Sequence, residues 1–595
     1  MNWKQIIDPF NNLWLSALVA VLPIAFIFWA LIVKKMKGYI ASILATVIAM
    51  LIAIIVYGMP AKLALLSSAN GALYGLFPIC WIVITAVFLF NVTVKSGQFE
   101  IIKHFMASIT SDRRLQALLI AFSFGSFLEG TAGFGAPVAI TAAMLAGLGF
   151  KPLYAAGICL IANTAPVAFG AIGIPITVAS QVSSIPEMAI SQMVGRTLPV
   201  LSIMLPFYLI ILMSGYKKTI EILPAVLVSG CSFAFLQWYS SNYIGPALPD
   251  VIAGIGSIII LIIFLRFWKP PSTWRFPDEP APTFNTEVTY STGEIVRAWS
   301  PFILLTIMII AWGLQPIKEL LNAVGLFQFE MPGLHNVILD KNNNPIPHIF
   351  KFNYLSASGT AILISGIISV PLVGLSFREG LKIFGETLNQ LKFPIITVAS
   401  VLAFAYIVND SGITITMAQA LANTGFLFPF FAPVLGWLGV FITGSDTSAN
   451  ALFGKLQSAT ATSIGVDPVI TVGANVSGGV VGKMISPQSI AVAAAAGNLV
   501  GKESELFRFT VKHSFIMLIF ICFIVLIQAY VLKWLIPTYT LLTHNAAAVT
   551  PDLTKGYTYV IGLVVVLVAL AAGILLFVKK KDKLINIGAV SSQKN

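Results

Sequence analysis

Long apolar runs, separated by short polar stretches, follow one another along nearly the whole chain of 595 residues. Many runs are about 20 residues long, which is the length a helix needs to cross the hydrocarbon core of a bilayer. The first run is followed at once by others and lacks a small-residue cleavage signal, so it is expected to be a span rather than a signal peptide. The pattern predicts about thirteen spans, near residues 13–33, 39–57, 70–95, 153–180, 197–213, 222–243, 250–267, 298–314, 354–374, 393–408, 466–497, 513–536 and 557–578.

Two further segments, about 116–148 and about 430–460, are rich in Gly and small polar residues, and we expect them to form re-entrant hairpins. The first contains "FGSFLEGTAGFGAPVAI" (124–140), in which four glycines and Pro137 surround or follow the acid Glu129. Irregular backbone within a membrane is tolerated only where it is buried in protein or lines a watery cavity. Both segments are therefore expected inside the protein rather than against lipid.

Short clusters of basic residues beside the apolar runs indicate which loops face the cytoplasm. They all lie on one side only if both hairpins return to the side from which they enter. The N-terminus is then outside, the loop 315–353 is external, the polar and Pro-rich segment 268–297 is a cytoplasmic linker, and residues 579–595 form a cytoplasmic tail. The clusters are Lys34/Lys35/Lys37, Lys103/Arg113/Arg114, Lys217/Lys218, Arg266/Lys269/Arg275, Arg378/Lys382, Lys502/Arg508 and Lys579/Lys580/Lys581.

The linker separates two halves, residues 1–267 and 298–578, that resemble each other. "GSFLEGTAGFG" (125–135) lies over "GSDTSANALFG" (444–454), sharing Gly, Ser, Ala, Phe and Gly. The first half starts outside and the second inside, so we expect inverted repeats, with broken helices at about 153–180 and about 466–497. Within these helices, a constant offset of 312 relates Asn163, Gly170 and Pro175 to Asn475, Gly482 and Pro487.

Composition supports the membrane class and argues against others. Hydrophobic residues make up 57% of the chain and charged residues only 10%, whereas soluble domains carry about 25% charged residues. The net charge of +12 would suit nucleic acid, but the basic residues lie in clusters beside apolar runs. The four cysteines and five histidines show no metal-ligand spacing, and "GGVVGKM" (478–484) lacks the first glycine and the final Ser or Thr of a phosphate-binding loop. We expect no cofactor, no metal and no nucleic-acid partner.

Four ionisable residues in the hairpins and broken helices, Glu129, Asp446, Lys455 and Lys483, are candidates for a transport site. A charge at the bilayer centre costs roughly 3 kcal/mol, so these residues need a water-filled site or mutual pairing. Lys483 is expected to hold a substrate anion, Glu129 to carry a proton, and Asp446 to be its counterpart in the second hairpin. The alternatives are an interfacial position for each, and a permanent Glu129–lysine pair that only stabilises the hairpin tip.

Broken helices also provide hydrogen-bonding groups. Each half-helix N-terminus offers unpaired N–H groups and the positive end of a dipole, which suits an anion. Small polar side chains nearby are expected either to bind a small polar ligand or to cap the broken helix ends. Beside Lys483, the candidates for substrate binding are Gly130, Thr131, Asn163, Thr164, Ser445, Thr447, Ser448, Asn450, Asn475, Ser477 and Gln488.

Four stretches carry a family resemblance: "FGSFLEGTAGFGAPVAI", "IANTAPVAFGAIGIP", "GSDTSANALFGKLQ" and "GANVSGGVVGKMISPQSIAVA". They resemble the bacterial L-lactate permease family, and the likeness covers essentially the whole chain. It implies an all-α polytopic carrier of the cytoplasmic membrane that takes up lactate, glycolate and related 2-hydroxy acids with protons. It also implies kinship with dimeric carriers that move a hairpin-bearing domain against a scaffold, the elevator-type arrangement, and hence a homodimer.

Other classes of function compete with a proton-coupled carrier. A sodium-coupled organic-anion carrier is the main alternative, because Ser, Thr and Asn oxygens at broken helices also ligate Na⁺. An anion channel would share a cationic site but would not need two inverted hairpins. An enzyme is not expected, since no nucleophile, base and orienting group stand at a recognisable spacing.

Overall fold

A computed structural model describes residues 2–133, 135–277, 290–340, 342–497, 499, 502–541 and 555–569. Helices dominate this part of the chain, as expected where lipid offers no hydrogen bonds to the backbone. Ten described helices are long and apolar enough to cross a membrane, or eleven if one bent pair forms a single span. The class is therefore an all-α polytopic membrane protein, while the number of about thirteen spans stays a prediction. The predicted tail and the end of the last predicted span lie outside the described residues.

The helices before the linker begin at recognisable signals. Asn12 caps the first helix, its side chain accepting from the backbone N–H groups of Trp14 and Leu15, and prolines occupy the first turn of several others. These helices are α1 (Leu13–Phe28), α2 (Gly38–Ile55), α3 (Ala61–Tyr74), α4 (Trp81–Lys95), α5 (Gln98–Ser108), α6 (Arg113–Gln116), α7 (Gly125–Thr131), α8 (Ala136–Gly147), α9 (Pro152–Ala162), α10 (Gly170–Ser183), α11 (Glu187–Glu221), α12 (Leu223–Tyr243) and α13 (Pro249–Phe267).

After the linker, Ser291 and Ser376 open their helices with capping boxes, each paired with a Glu three residues later. The helices are α14 (Thr292–Gly313), α15 (Gln315–Gly325), α16 (Ser358–Leu372), α17 (Phe377–Asp410), α18 (Ile413–Ala422), α19 (Phe428–Thr443), α20 (Asp446–Ser463), α21 (Pro468–Lys483), α22 (Pro487–Ala496), α23 (Glu503–Tyr530) and α24 (Lys555–Ala569).

Four short strands lie in the loops at one face of the molecule. They are β1 (Trp3–Lys4), β2 (Leu326–Glu330), β3 (Ile338–Leu339) and β4 (Ile349–Asn353). β2 and β4 pair antiparallel, with Leu326 opposite Asn353, and β1 pairs in parallel with β3, with Trp3 opposite Ile338. The N-terminal segment therefore lies on the same face as the loop that follows α15.

The segment from α6 to α8 folds back on itself. One arm is α6, the π-helical turn Ala117–Phe124 and α7, and the other is α8. Both ends lie together, because the Arg113 guanidinium carbon is 5.9 Å from the Phe150 ring centroid. The Phe150 ring is in turn 5.3 Å from the Phe276 ring at the start of the linker. With 12 residues, α8 is about 18 Å long, well short of a hydrocarbon core of about 30 Å.

The helices α19 and α20 form the second hairpin, joined at Gly444 and Ser445. They run antiparallel, since the Gln457 side-chain amide donates to the Ala432 carbonyl at 2.8 Å. The segment Gly425–Thr443 is itself one of the ten long apolar helices, whereas α20 is not among them. The polar sequence of α20 therefore distinguishes the second arm from an ordinary span.

Each half also contains a broken helix, but the breaks differ. In the first half, α9 and the segment Val167–Ser183 are bent by 63°, and Ala171, Ile172 and Gly173 depart from helical dihedrals. In the second half the interruption is confined to residues 484–486, between α21 and α22. Asn475, which aligns with the end of α9, therefore lies within a continuous helix, and the break follows it by two turns.

The helices α19 and α21 pack with their backbones in contact. A Cβ atom added to Gly436 would lie 1.9 Å from the Asn475 carbonyl oxygen, and one added to Gly478 would lie 2.0 Å from the Pro433 carbonyl oxygen. A Cβ atom on Gly482 would be 2.4 Å from a third carbonyl oxygen, on α19. The three glycines thus permit an approach that no side chain would allow.

Candidate functional site

Glu129 and Lys483 form a buried ion pair. The Lys483 ammonium donates to Oε1 of Glu129, and the two side chains are 10% and 3% exposed, respectively. Glu129 lies one turn before the tip of the first hairpin, on α7, and Lys483 is the last residue of α21. The hairpin tip and the second helix break therefore meet at this pair. Oε2 of Glu129 is buried and has no hydrogen-bond partner among the described residues.

Asp446 approaches the same pair from the tip of the second hairpin. It is the first residue of α20, after the N-cap Ser445, whose hydroxyl accepts from the Ser448 N–H at 3.3 Å. A Cβ atom on Gly479 would lie 2.1 Å from Oδ1 of Asp446, and the charges of Glu129 and Lys483 act on the Asp446 carboxyl. Both oxygens of this carboxyl are buried without a hydrogen-bond partner in the described part of the chain.

A third buried carboxyl, that of Asp250, was not anticipated from the sequence. Asp250 lies in the first turn of α13 and contacts the first hairpin at Gly130, where an added Cβ atom would lie 2.7 Å from the Asp250 Cβ. The predicted span 250–267 begins at this residue, so the acid resembled an ordinary interfacial charge. Its one signal is an acid next to the helix-starting Pro249 in an otherwise apolar stretch.

Two of the predicted substrate residues are instead committed to other protein groups. The Gln457 amide donates to Oδ1 of Asn475 at 3.1 Å, and the Asn475 amide donates to Oδ1 of Asn450 at 2.8 Å. The Asn450 amide completes the chain by donating to the Pro175 carbonyl at 3.2 Å. This amide chain, which includes the unanticipated Gln457, fastens α20 and α21 to α10.

Asn475→Ala is expected to lower stability, because it leaves the buried Oδ1 of Asn450 without its donor and removes one of the two acceptors of the Gln457 amide. Such losses cost about 1–3 kcal/mol, so the melting temperature of the detergent-purified protein should fall by several degrees. Asn423→Ala is the matched control, since the Asn423 side chain is exposed and bonds only to nearby backbone carbonyls. Equal melting temperatures for the two variants would contradict a stabilising role for the amide chain.

Three other predicted residues, Asn163, Thr164 and Ser477, keep a free hydrogen-bonding atom. Asn163 Oδ1, Thr164 Oγ1 and Ser477 Oγ are buried and have no partner among the described residues. The first two follow the end of α9, and Ser477 lies on α21. These atoms are the best placed of the predicted set to serve a ligand.

The remaining predicted residues have different positions: Ser448 is buried at the start of α20, Ser445 caps that helix, and Gly130 contacts Asp250. The Thr131 hydroxyl donates within its own helix, to the Phe127 carbonyl at 3.0 Å. Gln488 is exposed at the start of α22, next to Gly444 of the second hairpin tip, and Thr447 is half-buried. In the described structure, the side chains of Thr131, Thr447 and Gln488 form no hydrogen bond with Glu129 or Lys483, so the structure assigns them no role.

Lys455 lies away from this cluster. Nine helical residues separate it from Asp446, about 14 Å along α20, and the charge that acts on it is that of Asp410. Asp410 accepts from the Ser67 hydroxyl at 2.6 Å and lies 3.0 Å from Nε2 of His348. Burial lowers the pKa of His348, but the charge and hydrogen bond of Asp410 outweigh burial and raise this pKa above 6.5. Lys455 therefore belongs with a second polar cluster, at the face of the loops.

Comparison with known proteins gives a consistent result along the chain. The family model described as L-lactate permease matches residues 16–532. The L-lactate permease of Bacillus subtilis (strain 168) is 55% identical over 563 residues, covering 90% of this chain and 100% of that protein. Glycolate permease GlcA of Escherichia coli (strain K12) is 51% identical over 552 residues, covering 89% and 99%.

Among solved structures, that of Neisseria gonorrhoeae MtrF, described as illuminating a class of antimetabolite efflux pumps, is 14% identical. It covers 79% of this chain and 85% of its own, with a TM-score of 0.43, too weak a similarity to support an inference. The family model and the relatives, by contrast, extend over most of the sequence. On that basis the chain belongs to the L-lactate permease family.

Proposed function

We propose that this protein is a secondary active transporter that takes up L-lactate and related 2-hydroxymonocarboxylates, D-lactate and glycolate, by proton symport across the bacterial cytoplasmic membrane. Relatives named L-lactate permease and glycolate permease support the substrate class. The observation that carries the coupling to protons is the buried Glu129–Lys483 ion pair. An ammonium that is already paired with a carboxylate binds a second carboxylate more favourably once the first is neutralised, because two adjacent carboxylates repel each other.

Coupling then follows from competition for one ammonium. When Glu129 takes up a proton, it no longer holds Lys483 by charge, and the ammonium can pair with the carboxylate of the substrate. When the substrate is absent, Lys483 favours the ionised form of Glu129 and so favours proton release. Each event makes the other more favourable, which is the reciprocity that linkage requires. Proton and monocarboxylate are thus loaded together, and Asp446 is the second carboxyl able to take part.

Recognition of the rest of the substrate falls to the atoms that the protein leaves unpaired. We assign the 2-hydroxyl group and the second carboxylate oxygen to Asn163, Thr164 and Ser477, whose side-chain oxygens lack partners in the described structure. The N-terminal turn of α22, capped by Ser486, adds the positive end of a helix dipole for the anion. Asn450 and Asn475 act indirectly, by holding α20 and α21 in place.

The proposed transport cycle is of the elevator type, with two re-entrant hairpins and two broken helices in inverted repeats, residues 1–267 and 298–578. Arg113 and Phe150, at the two ends of the first hairpin, pack together, and Phe150 packs on Phe276 of the linker. These contacts support a hairpin whose two ends lie on the side of the linker. We place this side in the cytoplasm, together with the C-terminus, because the basic clusters lie there. The N-terminus then lies outside, and the family resemblance implies a homodimer.

Uptake into vesicles tests the function directly. Purified protein in proteoliposomes without Na⁺ is expected to accumulate lactate when the interior is alkaline, by at least about tenfold for one pH unit, the ratio that one proton per lactate gives. A sodium gradient without a pH gradient should produce no accumulation, and unlabelled internal lactate should accelerate entry of labelled lactate. Accumulation that required Na⁺ would favour the sodium-coupled alternative, and the absence of saturable counterflow would favour a channel.

A further inference from the structure

Asp250 is, like Asp446, a buried carboxyl that forms no ion pair of its own in the described structure. The residue is 1% exposed, and neither of its carboxyl oxygens has a hydrogen-bond partner among the described residues. Burying an ionised carboxylate without a partner is costly enough that such a group instead takes up a proton. In the conformation described here, Asp250 therefore has the surroundings of a neutral carboxylic acid.

The charged groups that face Asp250 belong to the ion pair. Glu129 of α7 and Lys483 of α21 both act on its carboxyl. The other elements packed on this end of α13 offer no charge: the turn Ala117–Phe124 has no ionisable side chain, and α12 presents the amide of Gln237. That amide donates to the Ala165 carbonyl at 3.0 Å and accepts from the Ser202 hydroxyl at 2.8 Å, and its second N–H is a neutral donor that faces the Asp250 carboxyl.

Gly130 brings Asp250 to this position. An added Cβ atom at residue 130 would lie 2.7 Å from the Asp250 Cβ and 3.0 Å from the Val251 nitrogen. The start of α13 therefore touches the hairpin at the residue next to Glu129. Asp250 therefore lies with Glu129 and Asp446 around one ammonium, that of Lys483.

We propose that Asp250 is a second proton-binding residue of this site, so that two protons accompany each monocarboxylate. This inference rests on the proposed function and extends it to stoichiometry. In the loaded site Glu129 and Asp250 are both protonated and Lys483 pairs with the substrate anion, so the site is neutral. When the site opens to the cytoplasm, water solvates both carboxyls, and each releases its proton.

The net charge that each transport cycle moves across the membrane gives a measurable prediction. With Asp446 in the same protonation state throughout, the emptied site gains the negative charges of Glu129 and Asp250 beside one ammonium, so it returns with one more negative charge than the loaded site carries. Each cycle then moves one net positive charge inward, and an inside-negative membrane potential drives it. With a single proton the cycle would move no net charge, and the potential would have no effect on accumulation.

Potential-driven uptake at equal pH on both sides, in Na⁺-free buffers, provides the test. With valinomycin and a tenfold outward potassium gradient, the wild-type protein is expected to accumulate lactate by about tenfold, since one net charge moves per substrate. Asp250→Asn, which mimics the protonated residue permanently, should reduce this ratio to about one. The same variant should still accumulate lactate under a pH gradient and should still exchange it. Ser257→Ala, a buried residue on the same helix, is the control and should behave like the wild type.

The outcomes separate this inference from the proposed function. Wild-type accumulation under a pH gradient but not under a potential would overturn the second proton and leave lactate symport intact. A potential response that persists in Asp250→Asn but disappears in Asp446→Asn would move the role to Asp446, and a response that requires Na⁺ would replace the proton by sodium. Lack of accumulation under either gradient would refute the proposed function itself. If Asp250→Asn does not fold, the reversal potential of the wild-type protein still decides between one proton and two.

Discussion

Lys483→Ala is expected to abolish lactate uptake while the protein is still made and inserted into the membrane. The substrate anion loses the one ammonium at the ion pair, and a carboxylate moved into a buried site without a cation is strongly disfavoured. Uptake of radiolabelled lactate by cells that lack other lactate carriers should fall to background. Lys62→Ala, which removes an exposed lysine outside the site, should leave uptake unchanged.

Loss of folding is the alternative explanation for such a result, because removing one partner of a buried ion pair destabilises a protein by about 3–5 kcal/mol. The double variant Lys483→Met with Glu129→Gln removes both charges and should restore the stability lost by Lys483→Ala alone. If this double variant folds but does not bind lactate, the loss comes from the missing ammonium. Near-normal lactate affinity in any Lys483 variant would remove this residue from the site.

Glu129→Gln is expected to separate exchange from accumulation. Glutamine resembles the protonated carboxyl and leaves Lys483 free at every pH, so labelled lactate should still exchange for unlabelled lactate across the membrane. Accumulation driven by a pH gradient of one unit should fall by about tenfold relative to the wild type, since this residue can no longer release a proton and only Asp250 still can. The pH dependence of exchange should also become flatter than in the wild type.

A permanently paired glutamate predicts a different pattern for the same variant. If Glu129 only stabilises the hairpin tip, Glu129→Gln should lower the melting temperature and reduce exchange and accumulation by the same factor. Wild-type accumulation with unchanged pH dependence would refute the proton role outright. Glu129→Asp, which keeps a titratable group on a shorter side chain, should retain some accumulation.

The membrane class and the helix-rich hairpins could be predicted from the sequence, because a span requires about 20 apolar residues and leaves an unmistakable pattern. The identity of the lysine that pairs with Glu129 could not, since 354 residues separate Lys483 from Glu129 and no local pattern reports a contact over that distance. The sequence therefore assigned the two residues separate tasks. Because the two residues pair, the Glu129 carboxylate and the substrate carboxylate compete for the same Lys483 ammonium.

Other features were hidden for different physical reasons. Asp250 begins an apolar run, where most acids lie at the membrane surface, and only the packing of α13 on the first hairpin buries it. An asparagine side chain suits a ligand site and a structural hydrogen bond equally well. Asn450 and Asn475 bond to each other, and Asn475 also bonds to Gln457, so their role here is structural. The second break, at residues 484–486, lies within the predicted broken helix, whereas the glycines before Lys483 do not interrupt α21 but allow its close packing on α19.

The glycine contacts between α19 and α21 have a consequence for measuring motion in this carrier. Two helices that touch through backbone atoms cannot slide or rotate against each other without steric clashes, so they move as one rigid body. Any displacement of the ammonium of Lys483 is then matched by an equal displacement of α19, whose Phe431 is exposed on the outer surface. The displacement of a spectroscopic label at position 431 would therefore report how far the Lys483 ammonium moves in each transport cycle.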